Sequence, residues 1–193
     1  RNIAPVATAD TATTDENTAT SGNVLANDRD GAPDNDALQV VRVNGDGDAL
    51  GQGVAGSNGG VFVIGADGRY RFEPNGDFDT LNAGEAATSS VVYQISDGQG
   101  GFSTARLTVT INGVADAPTV IMPIDDRIVS DGEQVSIATA NAFADIDSDT
   151  LSYRADGLPD GLMIDGDTGV ISGALGANAS ANGPYTIVVT ATD

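Results

Sequence analysis

The chain is predicted to be all-β, two sandwiches in series. Three observations carry this reading. Apolar and polar residues alternate with period two in several stretches, Asn-Gly and Asp-Gly turn signals separate those stretches, and no window of a dozen residues keeps a helical period. The 25 glycines point the same way. At 193 residues the chain is too long for one small sandwich and suits two domains of roughly 100 residues each.

Taken in order, Val61-Phe-Val-Ile64 is a continuous apolar run between Gly60 and Gly65, as in a buried strand. Tyr70 and Phe72 alternate with Arg71 and Glu73, and Val91, Tyr93 and Ile95 form a further alternating set. The strongest pattern is 103–112, where Ala105, Leu107, Val109 and Ile111 oppose Arg106, Thr108, Thr110 and Asn112. Tyr185, Ile187, Val189 and Ala191 alternate in the same way. Turn signals such as Asn44-Gly45, Asn75-Gly76, Asp97-Gly98 and Asp156-Gly157 lie between.

Strand 107–111 runs into Asn112-Gly-Val-Ala-Asp116-Ala-Pro118, and a related signature, Asn2-Ile-Ala-Pro5, opens the chain. Pro118 has a fixed φ and no N–H, so it stiffens an extended junction. The expected organisation is a domain over 1–113, a linker over 114–118 and a second domain over 119–193. Val91–Gly98 resembles Ile187–Asp193, each an apolar strand ending in Asp. In the first module a Gly-rich turn and strand 103–112 follow, and the second module has no counterpart to them. It is therefore expected to lack its last strand and to be the less stable module. Its open edge should be paired with another chain or covered by a loop such as 178–184. The first residue is Arg rather than Met, so the chain is read as an internal fragment.

Eight Lys+Arg face 28 Asp+Glu, a net charge of -20. Such a chain repels nucleic acid and anionic lipid, and no apolar run approaches the roughly 20 residues of a membrane span. Neither Cys nor His nor Trp is present. This removes disulfides, thiolate and imidazole metal sites, and the usual general base at neutral pH.

The acids cluster. Asp145-Ile-Asp147-Ser-Asp149 places alternate carboxylates where they can converge on one hard cation, and Ca²⁺ takes six to eight oxygens. The spacing matches the front of an EF-hand loop, with Asp156 at its twelfth position. Thr150 stands where that loop needs Gly, and no helices flank it, so an EF-hand is rejected. A solvated acidic turn is the competing reading. Asn27-Asp28-Arg29-Asp30-Gly31, followed by Asp34-Asn35-Asp36, forms a second set, and Asp165-Gly-Asp167 before Val170 a third that also reads as an ordinary turn. Glu16 and Glu133 sit at parallel places early in each module. Asn112 and Asp116 put oxygens at the junction.

The first module, from Ala4-Pro-Val-Ala-Thr-Ala-Asp10 through Gly22-Asn-Val-Leu-Ala-Asn-Asp28 to Tyr93-Gln-Ile-Ser-Asp97-Gly and Thr108-Val-Thr-Ile-Asn-Gly113, resembles the cadherin-like repeats of large bacterial surface adhesins, the group that includes the VCBS repeats. The second, with Leu158-Pro-Asp-Gly-Leu162, Asp167-Thr-Gly-Val-Ile-Ser-Gly173 and Val189-Thr-Ala-Thr-Asp193, resembles the dystroglycan-type, or putative-Ig, cadherin domain. The resemblance implies tandem Ig/cadherin-like Greek-key sandwiches with Ca²⁺ at their junctions. Carried over residue by residue, one junction uses Glu16, Asn112, Asp116, Asp145, Asp147 and Asp193. Asn2 with Asp28, Asp30 and Asp97 belongs to a preceding junction, and Glu133, Asp165 and Asp167 to a following one. Asp149 completes the Asp145–Asp149 set.

The expected function follows: calcium-stiffened extender and adhesive modules of a large secreted bacterial surface protein of RTX type, acting in cell adhesion or biofilm, with neighbouring repeats of the same polypeptide as partners. The alternative is a calcium-dependent carbohydrate-binding module with a surface or matrix polysaccharide as partner. An enzyme, such as a glycoside hydrolase with paired carboxylates, is not expected, since no aromatic-lined cleft is identifiable.

Overall fold

The computed structural model describes residues 2–32 and 35–193. Pro33 and Asp34 of the second acidic set lie outside the described residues. The chain divides into two units, Arg1–Ala115 and Asp116–Asp193.

The period-two pattern puts one face of each strand inward. In the first unit two four-stranded sheets use that face. One contains β1 (Asp10–Asp15), β8 (Phe102–Asn112), β7 (Ala86–Ser96) and β3 (Gln39–Val43), adjacent in that order. The other runs β2 (Thr20–Asn23), β6 (Arg69–Glu73), β5 (Val61–Ile64) and β4 (Val54–Ala55). β7 and β8 form an antiparallel ladder from Ala86↔Asn112 to Ser96↔Phe102, and β1 pairs in parallel with the second half of β8. The alternation read at 105–111 is the burial pattern: Leu107, Val109 and Ile111 are fully buried. Among the described residues, thirteen buried apolar side chains form one core cluster, drawn from both sheets. Phe62 and Phe72 are at its centre, ring centroids 4.6 Å apart. Gly60 (φ 68°) allows this packing, because a Cβ there would run into the Phe72 ring.

The second unit repeats part of this plan. β10 (Gln134–Ala138), β14 (Val170–Ala174) and β13 (Leu162–Ile164) form an antiparallel sheet equivalent to β2-β6-β5. β12 (Ser152–Asp156) pairs antiparallel with β15 (Val188–Thr192), as β3 does with β7. Two short strands, β9 (Thr119–Val120) and β11 (Phe143–Ala144), form an additional pair, and 3₁₀ turns occupy Ala140–Ala142 and Ala179–Asn182. Buried apolar residues here are fewer: Val135, Ala142, Ile171, Leu175 and Ala179 among those described.

One expectation needs correction. The alternating stretch from Tyr185 enters the strand only at Val188. β12 ends opposite that residue, and Tyr185 instead turns back to donate its hydroxyl to the Ala179 carbonyl. Among the described residues β15 pairs with β12, and no ladder joins it to residues 178–184. Ser180 in that loop bonds Asp131 through both its N–H and its hydroxyl.

Candidate metal centre

The densest acidic set is shaped by a backbone pairing. β9 and β11 run antiparallel with Thr119 opposite Ala144, so the residues before β9 and those after β11 meet at one end of the pair. Asp116 thereby donates its N–H to Asp147 Oδ2 at 2.9 Å. Asp145 Oδ1 accepts the N–H groups of Asp147 (2.9 Å) and Asp149 (3.4 Å), and Ser148 takes φ 62° between them. This turn brings one oxygen from each of Asp145, Asp147 and Asp149 within 4.8 Å of one another.

Asp147 is only 5 % exposed, and its Oδ1 is buried without a hydrogen-bond partner. Asp145 Oδ2 is in the same condition. A buried carboxylate oxygen with no donor is costly, and three mutually close carboxylates compound the cost. A hard cation relieves both. The donor set is all oxygen and rich in carboxylate, which suits Ca²⁺.

A second arrangement lies at the end of the first unit. The parallel pairing of β1 with β8 sets Asp15 opposite Asn112, and Glu16 N–H donates to the Asn112 carbonyl at 3.0 Å. The chain then crosses over Glu16. Glu16 Oε1 accepts the Val114 N–H at 2.7 Å, the residue is 2 % exposed, and Oε2 is buried without a partner. Glu16 and Asn112, two of the six residues that the resemblance assigns to one junction, are thus adjacent.

At the other end of that unit Val6 bridges Arg29, bringing the Asn2–Pro5 segment to the second acidic set. Asn2 donates its amide to Asp97 Oδ2 at 3.1 Å. Asp97 Oδ1 accepts the N–H groups of Gln99 and Gly101. Burial alone would raise the Asp97 carboxyl, yet those N–H groups and the Asn2 amide hold it below the ordinary carboxylate value. Asp30 Oδ2 accepts the Asp36 N–H, and its Oδ1 is buried without a partner, as is the neighbouring Asn27 Oδ1. Asp28 faces inward and is already engaged, Oδ1 with the Thr8 N–H and Oδ2 near the Tyr93 hydroxyl.

The remaining candidates are spread out. Asp165 closes its own turn, Oδ1 accepting the N–H groups of Asp167 and Thr168, and these contacts with Thr168 first lower its carboxyl. Asp167 is exposed. Glu133 is exposed and caps the Ser130 N–H at 2.8 Å, and Asp193 is exposed beyond β15.

One cluster escaped sequence reasoning. The single Tyr93 hydroxyl proton faces Asp10 Oδ2 (2.7 Å), the carbonyls of Thr8 (2.9 Å) and Val24 (3.4 Å), and Asp28 Oδ2 (3.5 Å). Burial raises the carboxyls of Asp10 and Asp28, and burial with Asp10 beside it raises the Tyr93 hydroxyl. A carboxyl raised on folding contributes stability below its unfolded value of 3.8, and that contribution is lost as pH rises through the folded value. At neutral pH the charge on Asp10 therefore costs stability. In EDTA, Asp10→Asn should raise the melting temperature of the first unit by a few degrees at pH 7, and the gain should shrink as pH falls toward 3.8. An unchanged or lower melting temperature at pH 7 contradicts this account.

Comparison with known proteins follows the two units. Residues 2–113 match the family model described as "Bacterial cadherin-like domain", and residues 117–193 match "Putative Ig domain". The calcium-binding lectin RapA2 of Rhizobium johnstonii is 33% identical over 117 residues, covering 58% of this chain and 48% of that protein. The chain thus spans about half the length of this curated relative. Among solved structures, mouse cadherin-23 EC22-24 gives a TM-score of 0.55 at 16% identity, covering 100% of this chain and 61% of that one. Human CDH23 EC21-23 gives 0.53 at 17% identity, covering 97% and 68%. These two likenesses show the fold. No helix among the described residues is long and apolar enough to cross a membrane.

Proposed function

Since the chain belongs to the bacterial cadherin-like domain family, we propose that it is a pair of calcium-binding extender modules of a bacterial cell-surface adhesin. The observation that carries this is the Asp145–Asp147–Asp149 turn, where two buried carboxylate oxygens lack any donor. Asp116, Asp145, Asp147 and Asp149 hold the ion in the second unit. Glu16 and Asn112 serve as ligands before the linker, and Asn2, Asp30 and Asp97 at the start of the chain. The net charge of -20 gives the proposal its sign, because without divalent cations the acidic loops repel.

Residues 112–118 carry candidate ligands on both sides of the covalent join, so ion binding restricts the linker. The test is small-angle scattering of the whole chain in EDTA and in millimolar Ca²⁺. The expected result is a larger maximum dimension and lower flexibility with Ca²⁺, and identical curves would sink the proposal.

A second reading is favoured by the likeness to a calcium-binding lectin over 117 residues. On this reading the modules contact surface or matrix polysaccharide when loaded with calcium. Calcium-dependent retention on immobilised bacterial polysaccharide, abolished by EDTA, would distinguish it from a purely structural role.

A further inference from the structure

We propose that Tyr93 is a positioning residue for a cation held by Asn2, Asp30 and Asp97, its buried hydroxyl fixing the backbone that carries those ligands. The inference rests on the calcium reading of that end of the first unit.

The three ligands come from separate stretches of chain. Asn2 lies before the segment that enters β1, Asp30 lies in the loop after β2, and Asp97 follows β7. The first two stretches are laced together. Val6 and Arg29 exchange both backbone hydrogen bonds, at 2.8 and 3.1 Å. Thr8 donates its N–H to Asp28 Oδ1 at 2.7 Å, and Asn27 donates its side-chain amide to the Ala9 carbonyl at 3.2 Å. Residues 6–9 therefore lie against 27–29, next to Asp30.

Tyr93 joins this pairing to the third stretch. It is fully buried and stands on β7, the strand that leads to Asp97. Its hydroxyl meets the Thr8 carbonyl and Asp10 Oδ2 on one segment. It meets the Val24 carbonyl and Asp28 Oδ2 on the other. One hydroxyl thus connects all three ligand-bearing stretches.

An apolar ring could fill the same space but not do the same work. Asp10 and Asp28 both turn an oxygen toward the hydroxyl, which donates to the nearer, Asp10. Burial first, and then the Asp10 carboxylate beside it, raise the Tyr93 hydroxyl, so it stays a donor. Without it, two carboxylates partly withdrawn from water would face a gap that holds no donor, and they would repel. Asp10 is held in the β1 ladder, whereas Asp28 lies in a turn, so the turn is the part that gives way. Movement of Asp28 carries Asn27 and Asp30 with it. The Oδ1 atoms of both are buried without partners.

The test is NMR of the whole chain, starting metal-free and titrated with Ca²⁺. The amides of Asp36, Gln99 and Gly101 donate to Asp30 and Asp97 and report this site. Those of Asp147 and Asp149 report the turn in the second unit. Tyr93→Phe keeps the ring and removes the hydroxyl. It should weaken Ca²⁺ at the first site by about 10- to 100-fold, the usual cost of losing a group that orients ligands, and leave the second titration unchanged. In EDTA it should speed hydrogen exchange at Val6, Thr8, Asp28 and Arg29 by about tenfold or more relative to the rest of the unit. Two controls separate positioning from other causes. Val109→Ala opens a cavity in β8 and lowers the stability of the same unit, yet should keep the parent affinity. Asp10→Asn removes a charge but keeps an acceptor for the hydroxyl, and should cost less than about threefold. If the Asp36, Gln99 and Gly101 amides of the parent ignore Ca²⁺, the calcium reading of this end falls and the proposal falls with it. If the parent responds, the proposal alone is overturned by any of three results: unchanged affinity in Tyr93→Phe, unchanged exchange at the four amides, or an equal loss of affinity in either control.

Discussion

Asp147→Ala should lose most of the calcium-dependent rise in the melting temperature of the Asp116–Asp193 unit. Ca²⁺ at about 100-fold above Kd adds about 2.7 kcal/mol to the folded form that holds it. In a unit of this size that is a shift of about 10–20 °C. Asp147 is chosen because its two oxygens do different things: Oδ2 fixes the Asp116 backbone, and Oδ1 is buried with no donor. Removing it takes away a ligand and the contact that aligns Asp116. In EDTA the same substitution should cost little, because loss of the Asp116 contact is offset by relief of repulsion among the three carboxylates. Asp167→Ala, in an exposed turn, serves as the control and should keep the full calcium response. Differential scanning calorimetry in EDTA, Mg²⁺ and Ca²⁺ measures all of this. Mg²⁺ should stabilise less, since it prefers tight octahedral geometry and retains its waters. An undiminished calcium shift in Asp147→Ala would remove this turn from consideration as the ion site.

How much of this was legible in the sequence depends on how local the cause is. β8 was readable because Leu107, Val109 and Ile111 announce their own burial. The Asp145–Asp149 turn was readable because its oxygens converge through hydrogen bonds two and four residues apart. β1 was not readable, since a strand of Thr, Ala and Asp is defined by β8, far along the chain. Glu16 and Glu133 were set in parallel from their spacing, and the structure separates them: one is buried under residues 112–114, the other caps a surface turn. The Asp10–Tyr93–Asp28 cluster joins residues up to 83 apart, and no spacing rule marks it. The late start of β15 follows from where β12 ends, again a partner effect.

Phe72→Ala should destabilise the Arg1–Ala115 unit by about 3–5 kcal/mol, the usual cost of removing a fully buried aromatic ring. Phe72 is fully buried, with Phe62 at 4.6 Å and Phe78 at 6.4 Å between ring centroids. The cavity left behind has little room to collapse. Two sheets hold its walls, and the backbone at Gly60 already sits against the ring. The melting temperature of this unit should therefore fall by more than about 10 °C. The parent chain is expected to show two transitions, with the Asp116–Asp193 unit melting first. It buries five apolar residues among those described, against a thirteen-residue cluster in the first unit. Phe72→Ala should shift only the first unit's transition and leave the calcium response assigned to Asp147 intact. The physical point is a division of labour. The first unit buries the larger apolar core, so ion binding should make up a larger share of the stability of the second. Calorimetry of Phe72→Ala in EDTA and in Ca²⁺ decides this. A single transition that moves as a whole with the substitution would show that the two units unfold as one cooperative block.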